Sequence, residues 1–224
     1  MQVKTHGTAD TGIDAPRDAF LDACDFLMCG LIAYYPFDPD RPLEDRSGNG
    51  HRLTPTDDVS FSSGIARFNG GRLSGASPLR LNQTRSIALW VRPRMMVGGG
   101  ARMGLVDKER AFGLFIYEGQ APECRGFGIE GVRASDAGVE VGRWTHLACV
   151  REDGRLCIYV GGAQQRCQST SSSFGPSSSM HQLFLGQDSP NGGDAFFGDL
   201  DEVRLYDRPL SAGEIGEMAT RPPP

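Results

Sequence analysis

Gly198-Asp199-Leu200-Asp201-Glu202-Val203-Arg204-Leu205-Tyr206-Asp207-Arg208-Pro209-Leu210-Ser211-Ala212-Gly213-Glu214-Ile215 is the stretch on which the fold turns. Its first half alternates as a strand does. Asp201, Val203 and Leu205 fall on one face, and Glu202, Arg204 and Tyr206 on the other. Pro209 ends the strand because it has no N–H to give a ladder. Ser211 and Glu214 then form a Ser-x-x-Glu capping box that opens a short helical turn. Asp201 is the odd residue, since its face is otherwise apolar and points to the core. A buried carboxylate needs backbone N–H groups, a basic side chain or a metal to offset its lost hydration.

Working outward, the rest of the chain also reads as short strands. Ile87, Leu89 and Val91 alternate before Pro93. Leu156, Ile158 and Val160 alternate into Gly161-Gly162, a two-residue turn, with Gln164 to Cys167 returning. Further candidates are Val59 to Phe61, Ile65 to Phe68, Met103 to Val106, Phe112 to Tyr117, Gly126 to Ile129, Trp144 to Val150 and His181 to Gly186. The 30 Gly and 14 Pro are spread at short intervals, which suits many strands joined by turns. Such a set, without a long helix or an internal repeat, predicts an all-β sandwich or barrel. One domain over residues 30–218 is expected. A flexible lead-in or tether precedes it over residues 1–29, and a Pro-rich tail follows over residues 219–224.

Charge and composition exclude some classes. With 23% charged residues and a net charge of −5, the chain carries no nucleic-acid footprint. No apolar run approaches the ~20 residues of a membrane span. Polar residues follow Met1 to His6, so no secretion signal is visible in this stretch. Six cysteines, Cys24, Cys29, Cys124, Cys149, Cys157 and Cys167, lack a Cys-x-x-Cys spacing. In a Gly-rich β protein they favour disulfides and an extracellular or cell-surface location; buried free thiols are the alternative. Folding at Gly161-Gly162 sets Cys157 opposite Arg166, one residue short of Cys167. A bulge near Ala163 would bring Cys157 to Cys167, and would leave Cys124 with Cys149 and Cys24 with Cys29.

Five patches, in order, resemble laminin-G-like, concanavalin A-like jelly-roll domains. They are Ala33-Tyr34-Tyr35-Pro36-Phe37-Asp38 with Asp45-Arg46-Ser47-Gly48-Asn49-Gly50; Ala66-Arg67-Phe68-Asn69-Gly70; Ser86 to Pro93; Gly142-Arg143-Trp144-Thr145-His146-Leu147-Ala148 with Leu156 to Gly162; and the Gly198 to Ile215 stretch. The resemblance covers about residues 31–216. It implies two antiparallel sheets in a jelly roll, often a structural calcium, and usually a non-catalytic module on a secreted or surface protein. The fold itself fixes no ligand.

Calcium takes six to eight oxygen ligands. Asp38, Asp45, Asn69 and Asp201 lie at the resembling patches and are the expected ligands. Against that, Asp38 and Asp45 suit turns that bond their own backbone, and N–H groups alone can cap Asp201. Trp90, Trp144, His146 and Tyr159 read as a sugar platform or, more simply, as core aromatics with a structural histidine. Contact loops are expected at residues 94–102 and 188–194. The expected partner is a glycan or an extracellular surface protein, bound without catalysis. The other two readings are a glycoside hydrolase of the same fold and a structural spacer. The hydrolase needs two carboxylates about 5–9.5 Å apart. No Glu-x-Asp-x-Glu pattern occurs; Asp199 and Asp201 have the spacing, but Asp201 belongs to the closing strand of the resemblance.

Overall fold

A computed structural model describes residues 27–75, 81, 83–126, 131–152, 154–169 and 180–224. The chain folds as a two-sheet antiparallel jelly-roll sandwich, with one short α-helix among the described residues. In chain order the strands are β1 (Leu31–Tyr35), β2 (Leu53–Pro55), β3 (Val59–Ser62), β4 (Ile65–Asn69), β5 (Leu73–Gly75), β6 (Ser86–Pro93), β7 (Arg102–Lys108) and β8 (Phe112–Tyr117). They continue as β9 (Ala121–Gly126), β10 (Val132–Arg133), β11 (Thr145–Glu152), β12 (Arg155–Val160), β13 (Ala163–Ser169), β14 (Phe184–Leu185) and β15 (Phe197–Tyr206), followed by α1 (Ala212–Met218). One sheet has eight strands, in the order β13-β12-β11-β6-β15-β4-β3, with β1 also on β15. The other has seven, in the order β10-β9-β8-β7-β14-β5-β2.

The core lies between the sheets. Ile87, Leu89 and Val91 of β6, Leu147 of β11 and Ile158 of β12 meet Leu114 and Ile116 of β8 and Leu105 of β7. Cys124 of β9 bonds Cys149 of β11, so a disulfide ties one sheet to the other. The expected Cys157–Cys167 bond is present between neighbouring strands β12 and β13. The register correction sits at Gln165 rather than Ala163: Ile158 faces Arg166, and Tyr159 faces Gln164. The third expected pair involves Cys24, which lies outside the described residues, as do most of the lead-in and part of the strand expected at Gly126 to Ile129.

β15 corrects the reading of Asp201. Leu200, not Asp201, shares the core face with Val203 and Leu205. The cause is a bulge. Glu202 has φ +55°, and Glu202 and Val203 together stand opposite Leu89, so the alternation slips by one residue. Before the bulge β15 pairs β4; after it, β15 pairs β1. Asp199, Asp201, Arg204 and Tyr206 therefore face outward, beside Arg92, Trp90, Ala88 and Ser86 of β6. Trp90 likewise faces out and does not enter the inter-sheet core.

At one end of that outward face a second apolar cluster forms. α1 lays Ile215 and Met218 over Ala88, Ala148, Val150, Tyr159 and Tyr206. The expected capping box starts the helix: Glu214 N donates to Ser211 Oγ at 3.2 Å, and Ser211 N donates to Glu214 Oε2 at 2.7 Å.

Candidate ligand-binding site

The four residues expected to share a metal are placed separately. The Asp38 carboxylate accepts from Arg46 Nε and Nη2, at 2.9 and 2.6 Å. Asp45 accepts three backbone N–H groups, from Tyr34, Ser47 and His51, at 3.0, 2.8 and 3.0 Å. That is the turn arrangement weighed against a metal. Asn69 accepts from Arg94 at 2.7 Å and stands opposite Phe197, four residues before Asp201 on β15. Asp201 is buried, and its Oδ1 accepts the Glu202 N–H at 2.7 Å. No other hydrogen bond reaches it among the described residues. Burial pushes its carboxyl up to about 8, against the pull of that N–H. Asp38 is near enough to add repulsion there, but Asp38, Asp45 and Asp201 do not close into one ligand group.

Asp199, two residues earlier, is compensated by side chains. Arg67 Nε reaches its Oδ1 at 2.8 Å from β4, and Arg92 Nε reaches its Oδ2 at 3.0 Å from β6. The hydrolase reading needs two carboxylates facing a substrate, and Asp199 is spent on this ion triad.

The two expected contact loops meet on the outward face of the other sheet. Arg102, at the start of β7, binds Asp194 at 2.5 Å and Asp188 at 3.2 Å. It also donates to the Tyr117 hydroxyl at 3.2 Å, and its guanidinium lies 4.3 Å from the centre of the Phe115 ring. Alternation along β8 turns Leu114 and Ile116 inward, and so turns Phe115 and Tyr117 outward. Arg125 of β9 and Arg133 of β10 flank them. Arg133 lies 3.8 Å over the Tyr117 ring, and Arg125 lies 5.9 Å from Phe115 and 5.6 Å from Tyr117. Glu123, buried beneath them, holds both arginines, at 2.8 Å from Arg125 and 2.7 Å from Arg133.

This array is fixed in place yet open. The Arg125 and Arg133 side chains are 45% and 43% exposed. A guanidinium has five N–H donors, and Glu123 and Tyr117 engage only part of each set. The spare donors lie on a rigid sheet beside aromatic rings and are suited to hydroxyl or carboxylate oxygens. Beyond Arg102 the acidic side continues: Asp107, Glu109 and Asp188 bring their oxygens within 4.8 Å of one another. Burial pushes the Asp107 carboxyl up to about 8, against the Ser189 N–H that donates to its Oδ2 at 2.9 Å.

Sequence reasoning found the two loops but missed Arg125, Arg133, Phe115 and Tyr117. The alternation of β8 carried a signal for its two rings. Nothing in the sequence pairs β9 and β10 with them.

A jelly roll of two antiparallel sheets in this strand order defines a β-sandwich of the concanavalin A-like class. The chain belongs to the concanavalin A-like lectin/glucanases superfamily, whose laminin G model matches residues 68–216. No curated protein matches it in sequence. Among solved structures it is similar to domain 4 of AbnA, a GH43 extracellular arabinanase from Geobacillus stearothermophilus, in complex with arabinotriose. That match has a TM-score of 0.65 at 20% identity, over 84% of this chain and 98% of that one. It is also similar to the binding domain of Paraclostridial Mosquitocidal Protein 1, with TM-score 0.70 and 17% identity over 86% of this chain and 52% of that one. A third similar structure is botulinum neurotoxin type C, which depends on interaction with two ganglioside molecules to get into cells. Its TM-score is 0.69 at 11% identity, over 87% of this chain and 51% of that one. The chain spans about half the length of the two toxin chains. At these identities the likeness shows the fold.

Proposed function

We propose that the chain is a non-catalytic glycan-recognition module of an extracellular or cell-surface protein, and that the outward face around Arg102, Tyr117, Arg125 and Arg133 holds the ligand. The observation that carries this reading is the fixed, half-exposed arginine pair beside Tyr117, with donors left over. Sugars are rich in acceptor oxygens, and arginine planes take both their edges and their acidic groups. Arabinotriose and gangliosides occur with the similar domains and support a sugar as the ligand class. The two disulfides fit an oxidising compartment.

A glycan array run beside a reducing-sugar release assay tests the proposal. Binding without release is expected, and it should weaken with salt if the sugar is acidic. Arg125→Ala and Arg133→Ala, combined with Glu123→Ala so that no buried carboxylate is left without its partners, should abolish binding, with Tm read alongside to show that the fold persists. Release of sugar would favour the hydrolase, and silence on both assays the spacer.

A structural calcium belongs to the same proposal through Asp201. The residues expected to share the ion have other partners, so no step is routed through it. A Tm raised when calcium is added to metal-free protein and lowered again when chelator removes it, with both responses blunted in Asp201→Asn, supports the ion. An unchanged melting curve rejects it.

A further inference from the structure

β3 is the last strand of the eight-stranded sheet and pairs only with β4 among the described residues. Val59 and Phe61 of β3 turn inward with Ala66 and Phe68 of β4 to meet the core. Alternation therefore turns Ser60 and Ser62, with Ile65 and Arg67, outward. Ser60 stands opposite Arg67, and Ser62 opposite Ile65. Together with Ser63 of the hairpin turn and Pro224, they line one cleft of about 330 Å³. Small-ligand sites run from about 300 to 1,000 Å³, so the cleft has room for a ligand of about one sugar ring.

Its polar groups are three hydroxyls and a guanidinium, and no carboxylate lines it. Ser60, Ser62 and Ser63 are exposed, and their hydroxyls bond no other described residue. Arg67 gives Nε and Nη2 to Asp199 Oδ1 and Oδ2, at 2.8 and 3.4 Å. Nη1 makes no bond among the described residues. A guanidinium carries five N–H groups in a fixed fork, so the edge formed by Nη1 and the second hydrogen of Nη2 remains available. Asp199 pins the group, and the fork is held in place before any ligand arrives.

Charge selects the ligand class. Arg92 reaches the same Asp199 from β6, at 2.9 Å. Two guanidiniums against one carboxylate leave one positive charge in excess. Asp199 is 1% exposed, whereas the Arg67 side chain is 48% exposed. A ligand in the cleft therefore meets the arginine and not the acid. Hydroxyls alone would suit a neutral sugar equally well, and the surplus charge favours an anion. A sulfate or phosphate ester presents three strong acceptor oxygens. Two can take the arginine fork in parallel bonds, and the third can take the serine hydroxyls. Ile65 and Pro224 supply an apolar wall for the carbon body of the ester.

We propose that the β3–β4 cleft is a second binding site, for the oxyanion of a sulfate or phosphate ester, with Arg67 as its fork and Ser60, Ser62 and Ser63 as its hydroxyl donors. The cleft lies on the opposite sheet from the arginine–aromatic face, so the glycan reading and this one can each fail alone.

The test follows backbone amide shifts of the ¹⁵N-labelled full chain during titration with glucose 6-sulfate, glucose 6-phosphate, inorganic sulfate, inorganic phosphate and unmodified glucose at constant ionic strength. Saturable shifts are expected at Ser62, Gly64 and Ile65, with at least one ester binding tenfold or more tighter than glucose. An ester that binds tighter than its free anion assigns the site to sugar esters; equal binding assigns it to the anion alone. Ser60→Ala with Ser62→Ala should weaken the anion at least tenfold. Arg67→Lys keeps the charge but loses the fork, and should weaken it several-fold. Ser62→Asp places a negative charge in the cleft and should abolish binding. Tm is read on each variant to show that the fold persists. No saturable shift with any anion, glucose binding as tightly as both esters, or unchanged binding in the double serine variant or in Ser62→Asp would overturn the proposal.

Discussion

On the seven-stranded sheet Arg125 and Arg133 stay nearly half in water, and the buried Glu123 beneath them is held by both. On the eight-stranded sheet the carboxylates themselves are covered, and the two on β15 are compensated very unequally. Asp199 has two arginines, from strands on either side. Asp201 has one backbone N–H. The difference follows from the bulge. Asp199 lies before it, where β4 and β6 flank β15 and each offers an arginine at the same level. Asp201 lies where β15 leaves β4, next to Trp90, and no arginine bonds it there. An outward position on a sheet does not guarantee water, and a buried acid is only as stable as the neighbours its register provides.

The strongest way to break this contrast is to turn Asp199 into a second Asp201. Arg67→Ala with Arg92→Ala leaves a buried carboxylate without its partners, and about 3–5 kcal/mol of stability should be lost. Arg67→Ala alone should cost much less, because half of that side chain is in water and Arg92 remains. Denaturant unfolding of the three proteins checks the order. Equal losses in the single and double variants would mean that the triad does not act as a unit.

Asp201 predicts a pH dependence. Its folded value, near 8, lies above the unfolded value of about 3.9. Between those values the folded state keeps a proton that the unfolded state has released. Stability from this group is therefore full below about pH 4 and lost as pH rises toward 8, by at most about 1.4 kcal/mol per unit. Asp107 adds a slope of the same sign. His146 opposes both between about 4 and 6.5, where only the unfolded state takes up its proton. Asp201→Asn removes one falling slope. It should gain about 1–3 kcal/mol at pH 8 and almost nothing at pH 4. A calcium ion that holds Asp201 ionised would reverse the sign at pH 8, so the same titration with added calcium separates the two accounts.

These charges also mark where the sequence could be read and where it could not. Ile87, Leu89 and Val91 announce β6 through period-two alternation, Gly161-Gly162 announces its hairpin, and Ser211 with Glu214 announces α1. Each is a local rule acting over a few residues. The bulge at Glu202 left no such mark. A left-handed residue is signalled by glycine or asparagine, and here it is a glutamate held in place by tertiary packing. Without it, alternation puts Asp201 in the core, where the structure puts Leu200. The short strands β2, β5, β10 and β14 have too few residues to show a period. The arginine face needs β7, β8, β9 and β10 in register at once, and the Arg67–Asp199 pair joins residues 132 apart in sequence. Such contacts follow from strand order, which no single stretch encodes.

The smallest expected effect tests whether the cover over the eight-stranded face is separable from the sandwich. α1 has seven residues, too few to hold together alone, so it depends on Ile215 and Met218 packing on Tyr159 and Tyr206 and on its capping box. Arg208 adds a bond to Glu214 Oε1 at 2.5 Å, leaving Ser211 as the one group that satisfies the Glu214 N–H. Ser211→Ala should cost about 1 kcal/mol. If the helix opens on its own, that loss appears locally, as roughly fivefold faster hydrogen exchange at Ala219 N, which bonds Ile215 O, while amides of β8 are unaffected. The same opening should raise exchange at Ala88 and Ala148 little, because their amides belong to the sheet ladder beneath. Equal acceleration in α1 and β8 would mean that the helix unfolds only with the whole domain, and that its apolar contacts to the sheet, rather than its cap, set the lifetime of the cover.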